Sequence, residues 1–188
     1  MTPTMARPAT LDDLLKVDGK AELIGGRIVH LMPSGRIPNR VAGRIYSSLL
    51  SYADSTGAGE AYTDNMGFKL VPPLPSGRQS FSPDASFDFG PFPPDGMKFN
   101  DRAPVFAVEV RSENDYTPSK HREYDEKRRD YFDAGTQVVW DVDPKAQTIK
   151  KYSISDPAPT VFRRGDTADA EPALSGWRVQ VDEIFSTP

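Results

Sequence analysis

The chain has 188 residues, 37% hydrophobic and 27% charged, with a net charge of −4 and no cysteine. That length suits one domain spanning 1–188. Lack of cysteine excludes disulfides and thiolate metal sites, and the acidic balance excludes nucleic-acid binding by bulk charge, leaving only a local basic patch.

No apolar run reaches membrane-spanning length and "MTPTMARPAT" has no signal-peptide core, so no membrane contact and a cytoplasmic location are expected. His30 and His121 are the only histidines, neither with zinc-hydrolase spacing, and no glycine-rich phosphate cradle is present.

Residues 1–10 read as loose. "LDDLLKV" predicts a short helix. "AELIGGRIVHLM" predicts a hairpin turning at Gly25-Gly26. Ile37, Val41, Ile45, Leu49 and Leu50 then recur at helical spacing, with Gly57 and Gly59 marking the stop. "GEAYTDNMGFKLV" is strand-like and "PPLPSGRQS" is a turn or loop. In "FSPDASFDF" an alternating strand puts Phe81, Pro83, Ala85, Phe87 and Phe89 on one face and Ser82, Asp84, Ser86 and Asp88 on the other. A long Pro/Gly-rich loop follows, of the kind often tied to function.

"VFAVEVR" is apolar on both faces at its start, as in a strand covered on both sides. "TPSKHREYDEKRRDYFDAG" is a helix, with Pro118 in its first turn and Gly135 at its end. "TQVVWDVDP" and "TIKKYSI" pair as strands, and "ALSGWRVQVDEIF" supplies a last strand or short helix. The class is α+β, a twisted mixed sheet flanked by helices.

Three residues carry the chemistry. Taken alone, Asp84 reads first as a solvent-facing acid on a half-buried strand. Glu109 lies within a buried strand, where an ionised carboxylate needs a cation or a metal; an ion pair with Arg111 or a lysine is the plainer alternative. On the following helix Lys120, Tyr124, Lys127 and Tyr131 share one face, which turns Lys127 toward the sheet. Lysines snorkelling to water would read the same way. Two acids on adjacent strands plus a lysine suit metal-assisted phosphodiester hydrolysis. Hard oxygen ligands select Mg²⁺ or Mn²⁺, which activates a water, and the lysine stabilises developing negative charge. A two-carboxylate glycoside hydrolase is a weaker reading, because the aromatics fall at core periods.

"SPDASF", "PVFAVEVRSEND" and "YDEKRRDYFDAGTQVVWDVDP", in that order, resemble the Uma-two type restriction endonuclease family, formerly a domain of unknown function, within the PD-(D/E)XK nuclease superfamily. The resemblance runs from about "AELIGGRIVHLMPS" to "VDEIF". It implies a restriction-endonuclease-like core, Asp84 and Glu109 as metal ligands, and a catalytic lysine moved from the motif position, here Arg111, to Lys127. Glu22 matches a family acid near the first hairpin. Asn39 or Arg40 stands where the family commonly has a histidine. Glu22, Arg111, Lys120 and Tyr131 are candidate supporting residues around the metal. Lys98, Arg102, Arg122 and Arg128, with Arg129, are candidate phosphate contacts, or else a solvated helix face. DNA is the expected substrate, with RNA still open, and a homodimer is expected by analogy. A catalytically inactive module of the same fold, binding nucleic acid or protein, is the alternative.

Overall fold

The computed structural model describes residues 7–186. Helix α1 (Leu11–Leu14) is capped by Thr10 and Asp13 in a reciprocal capping box. Arg7 pairs with Asp13, and the Ala9 amide donates to Gly26 O at 2.7 Å. Residues 7–10 are therefore held rather than loose; the rest of that expectation, residues 1–6, lies outside the described residues.

Strands β1 (Ala21–Ile24) and β2 (Arg27–His30) form the hairpin, with Ile24 opposite Arg27. Its two-residue turn needs positive φ at both positions, and Gly25 and Gly26 supply it at 56° and 69°. Helix α2 (Arg36–Thr56) ends at Gly57 in the left-handed conformation. Val41, Ile45 and Leu49 form its buried stripe, and full burial of each stabilises the fold by about 2 kcal/mol. Ile37 and Leu50, expected on that stripe, are exposed; Ala42 and Ala53 occupy the flanks of the buried face instead.

Strands β3 (Glu60–Thr63) and β4 (Phe68–Lys69) divide the segment expected as one strand, and β5 (Ser80–Phe81) pairs with β4. The alternation expected through Phe81 to Phe89 does not persist. The chain breaks at 82–84 before β6 (Ala85–Asp88), so Phe81 and Phe87 enter different cores, and Phe89 is exposed. Ser86 and Asp88 are buried too, because β6 is covered on both faces.

Strand β7 (Phe106–Val110) is followed by α3 (Pro118–Asp133), which starts with Thr117 as cap and Pro118 in the first turn. Strands β8 (Val138–Asp143), β9 (Thr148–Ser153) and β10 (Asp156–Phe162) extend the sheet, and β11 (Thr167–Asp169) pairs with β12 (Arg178–Gln180) before α4 (Val181–Phe185). The six-stranded order is β10-β9-β8-β7-β6-β3, with only β7 and β8 parallel. The α+β expectation of a mixed sheet flanked by helices is met. Strand β10 was not foreseen: Pro157 and Pro159 argue against a strand, but it lies at the sheet edge with a register shift, where proline is tolerated.

The two faces of β7 enter two cores. Phe106, Val108 and Val110 join α2 and the C-terminal segment, whereas Ala107 packs with Phe68, Phe81 and Tyr131. By strand alternation Glu109 shares the Ala107 face, the side covered by α3.

Candidate active site

Glu109 lies near the end of β7 and is 9% exposed. Its Oε1 receives Lys127 Nζ at 2.8 Å and the Tyr131 hydroxyl at 2.7 Å. Both donors come from α3, one helical turn apart, as their shared face requires. Tyr131 is locked by stacking on Phe81, with ring centroids 4.0 Å apart. Among the described residues no hydrogen bond reaches Glu109 Oε2, and the carboxylate lines an open groove of about 810 Å³.

Asp84 lies in the break between β5 and β6. Its amide donates to Val108 O, and its Oδ2 accepts from the Val110 amide at 2.8 Å. The side chain is thereby clamped to the residue that follows Glu109. Its Oδ1 receives Lys20 Nζ at 2.9 Å.

Glu22, on β1, is 2% exposed and fully engaged. Oε1 takes Lys127 Nζ at 3.0 Å and the Ser82 amide at 3.0 Å; Oε2 takes Arg78 at 2.5 Å. Arg78 also pairs with buried Asp130 through Nε, at 2.7 Å. A buried charge must be paired to be tolerated, and this chain of Lys127, Glu22, Arg78 and Asp130 alternates sign at every step.

The charges set the protonation states. Burial pushes Glu109 above the usual carboxylate range, with Asp84 and Glu22 adding to the rise and Lys127 opposing it. For Glu22 burial pushes upward as well, but Lys127 and Arg78 outweigh it and hold the group down at about 2. Burial disfavours the Lys127 charge, yet Glu109 and Glu22 together raise its pKa, so it stays an ammonium. Burial and then Glu109 raise the Tyr131 hydroxyl well above its ordinary value, keeping it a donor.

The structure thus brings Asp84, Glu109, Lys127, Glu22 and Tyr131 together. Other expected neighbours stand elsewhere. Arg111 points to Asp141, not Glu109, and lies over the Tyr124 ring, 4.9 Å from its centroid. Lys120 lines the groove but pairs with Glu123 one helical turn on. Of the basic residues proposed for phosphate, Arg102 is bound to buried Asp88, Lys98 pairs with Asp95, and Arg128 pairs with Asp125 over the Tyr152 ring. Those three and exposed Arg122 lie outside the groove lining; Lys120 and Arg129 are within it.

Lys20, Arg78 and Asp130 were not foreseen. Asp130 had a signal, since it lies three residues after Lys127 on the helix. Lys20 lies one residue outside the recognised hairpin, in register with Glu22. Arg78, in a Ser-Gly-Arg turn, carries no mark of burial.

The donor set fits a hard divalent cation: Glu109 from the end of β7 and Asp84 from the segment that enters the neighbouring strand β6, with one Glu109 oxygen free of hydrogen bonds among the described residues. Among the described residues no three acids or histidines stand close enough to cage an ion, so water would complete the coordination, as Mg²⁺ prefers.

The fold belongs to the nuclease-like α+β class. It is similar to a solved structure from Anabaena variabilis ATCC 29413, described as "a putative nuclease belonging to DUF820", with a TM-score of 0.74 and 21% identity over 95% of this chain and 98% of that one. The chain belongs to the Uma2 family, described as "Putative restriction endonuclease", whose model matches residues 8–182. A comparison with curated proteins finds no match. Among the described residues no helix is long and apolar enough to cross a membrane.

Proposed function

We propose that the protein is a divalent-metal-dependent endonuclease that hydrolyses DNA phosphodiester bonds. Asp84 and Glu109 hold Mg²⁺ or Mn²⁺, and Lys127 is the catalytic cation. The observation that carries this reading is the convergence of Asp84, Glu109 and Lys127, from three separate stretches of the chain, on one open groove. When bound, the ion supplies charge neutralisation at the phosphate and a more acidic water. Lys127, kept protonated by its two glutamates, donates to negative charge developing on a phosphoryl oxygen. Tyr131 fixes Glu109 through Oε1 and leaves the other oxygen for the ion. Lys120 and Arg129 offer phosphate contacts along the α3 wall. A homodimer would present two such grooves to the two strands of a duplex.

The test is cleavage of supercoiled plasmid, and separately of single-stranded RNA, with Mg²⁺ or Mn²⁺, by the unaltered protein and by Asp84→Asn, Glu109→Gln and Lys127→Met. Loss of cleavage in all three supports the mechanism; cleavage unaffected by Asp84→Asn sinks it.

The second reading, an inactive module of the same fold, is favoured by one observation. Both carboxylates already have a lysine partner, Lys20 on Asp84 and Lys127 on Glu109. Nucleic-acid binding without Mn²⁺ binding in a calorimeter would select it.

A further inference from the structure

Two lysines enter the site and they are held differently. Lys127 lies between Glu22 and Glu109, whose side chains are 3% and 12% exposed, so its departure would strand two buried negative charges. Lys20, on the segment preceding β1, bridges Asp84 Oδ1 at 2.9 Å and Asp64 Oδ1 at 2.5 Å. Asp64 lies in the turn after β3, and its side chain is 44% exposed. The Lys20 ammonium can therefore leave Asp84 and keep Asp64 as counter-ion at the groove rim, where both Lys20 and Asp64 lie.

Both Asp84 oxygens already accept a hydrogen bond, Oδ1 from Lys20 and Oδ2 from the Val110 amide, and Lys20 occupies the oxygen that is not turned to the backbone. A divalent cation on Asp84 would also share its immediate surroundings with the Lys20 ammonium, and like charges so close repel strongly in a half-buried site.

We infer that Lys20 is a built-in counter-ion of Asp84 that a divalent cation must displace, with Asp64 as the tether that retains the freed ammonium beside the groove. The inference rests on Asp84 being a metal ligand. Lys20 thus sets the metal affinity of the site and keeps the metal-free carboxylates neutralised.

Calorimetric titration with Mn²⁺ alone tests it, on the full chain and on Lys20→Met, Lys20→Gln and Asp84→Asn. The expected result is unchanged stoichiometry and roughly tenfold tighter binding in both Lys20 variants, equivalent to about 1.4 kcal/mol, with binding lost in Asp84→Asn. In the unaltered protein, saturating Mn²⁺ should increase acetic-anhydride labelling of Lys20 several-fold, read by mass spectrometry, while Lys127 stays protected. Equal or weaker Mn²⁺ binding in the Lys20 variants, with Asp84→Asn still abolishing it, overturns the inference and leaves the metal site standing. No Mn²⁺ binding by any of the proteins overturns both. Should the Lys20 variants not fold, the labelling decides: no rise at Lys20 overturns the inference.

Discussion

Arg111 stands two residues after Glu109 and turns away from it, forming a fork on Asp141 with N···O distances of 2.7 and 2.6 Å. Asp141 lies directly opposite Glu109 on the parallel neighbour strand. Two acids side by side on neighbouring strands thus have separate cations, Arg111 for Asp141 and Lys127 for Glu109. Arg111→Ala should lower stability by about 3 kcal/mol, because it strands a buried carboxylate. Arg111→Ala combined with Asp141→Asn should recover part of the loss. Urea unfolding of the single and double variants checks this, and Mn²⁺ affinity should stay close to that of the unaltered protein.

Lys127→Met should lower kcat about 10²–10³-fold with a smaller change in KM, the signature of a group that acts on developing charge. Lys127→Arg should not restore the rate, because a planar guanidinium cannot sit between Glu22 and Glu109 as the compact ammonium does. Steady-state kinetics on a fluorogenic duplex separate the two parameters.

Glu22 makes acid stability a readout of the network. Its folded pKa of about 2 is below the ordinary carboxylate value near 4.5. A depressed folded pKa adds stability that is present above the unfolded pKa and is lost as pH falls through the folded one. The loss should therefore occupy roughly pH 4.5 to 2 and amount to about 3 kcal/mol. Glu22→Gln should begin less stable at neutral pH and show a flatter profile across that window, measured by urea unfolding at stepped pH.

Glu109 should respond with the opposite sign. Its folded pKa is raised, so its contribution is fully present below the unfolded pKa and is lost as pH rises through the folded one. In metal-free buffer at neutral pH, Glu109→Gln should melt at the same temperature or higher, since glutamine oxygen can still accept from Tyr131 and Lys127. A large drop in melting temperature would falsify the view that this charge is carried at a cost to folding.

Tyr131→Phe keeps the stack on Phe81 and removes one donor to Glu109. Stability should fall by about 1 kcal/mol, and cleavage should fall further than stability, because the freed carboxylate no longer holds its orientation. Differential scanning fluorimetry beside the plasmid assay distinguishes the two.

Much of this was legible from local patterns. The hairpin at Gly25-Gly26, the limits of α3 and the strand around Glu109 each follow from residue types that admit few other conformations. The approach of Lys127 to Glu109 was readable because both helix face and strand alternation pointed the same way. The break at Ser82-Pro83-Asp84 was not, since the alternation of Phe and Ser continues across it in sequence while the backbone does not. Nor were Arg78 and Lys20: their partners are distant in the chain, and an isolated cation in a loop gives no periodicity to read. The pairing of Arg102 was hidden for a related reason, as nothing local says that it would meet the buried Asp88.

Glu22 belongs to a two-stranded hairpin outside the six-stranded sheet, yet it grips the lysine of a helix lying on that sheet. The site's charges are drawn from widely separated stretches, around 20–22, 78–84, 109 and 127–131. No short motif contains the machinery, so grafting any single motif between relatives should transfer nothing, and the smallest unit that can be recombined without loss runs from Lys20 through α3.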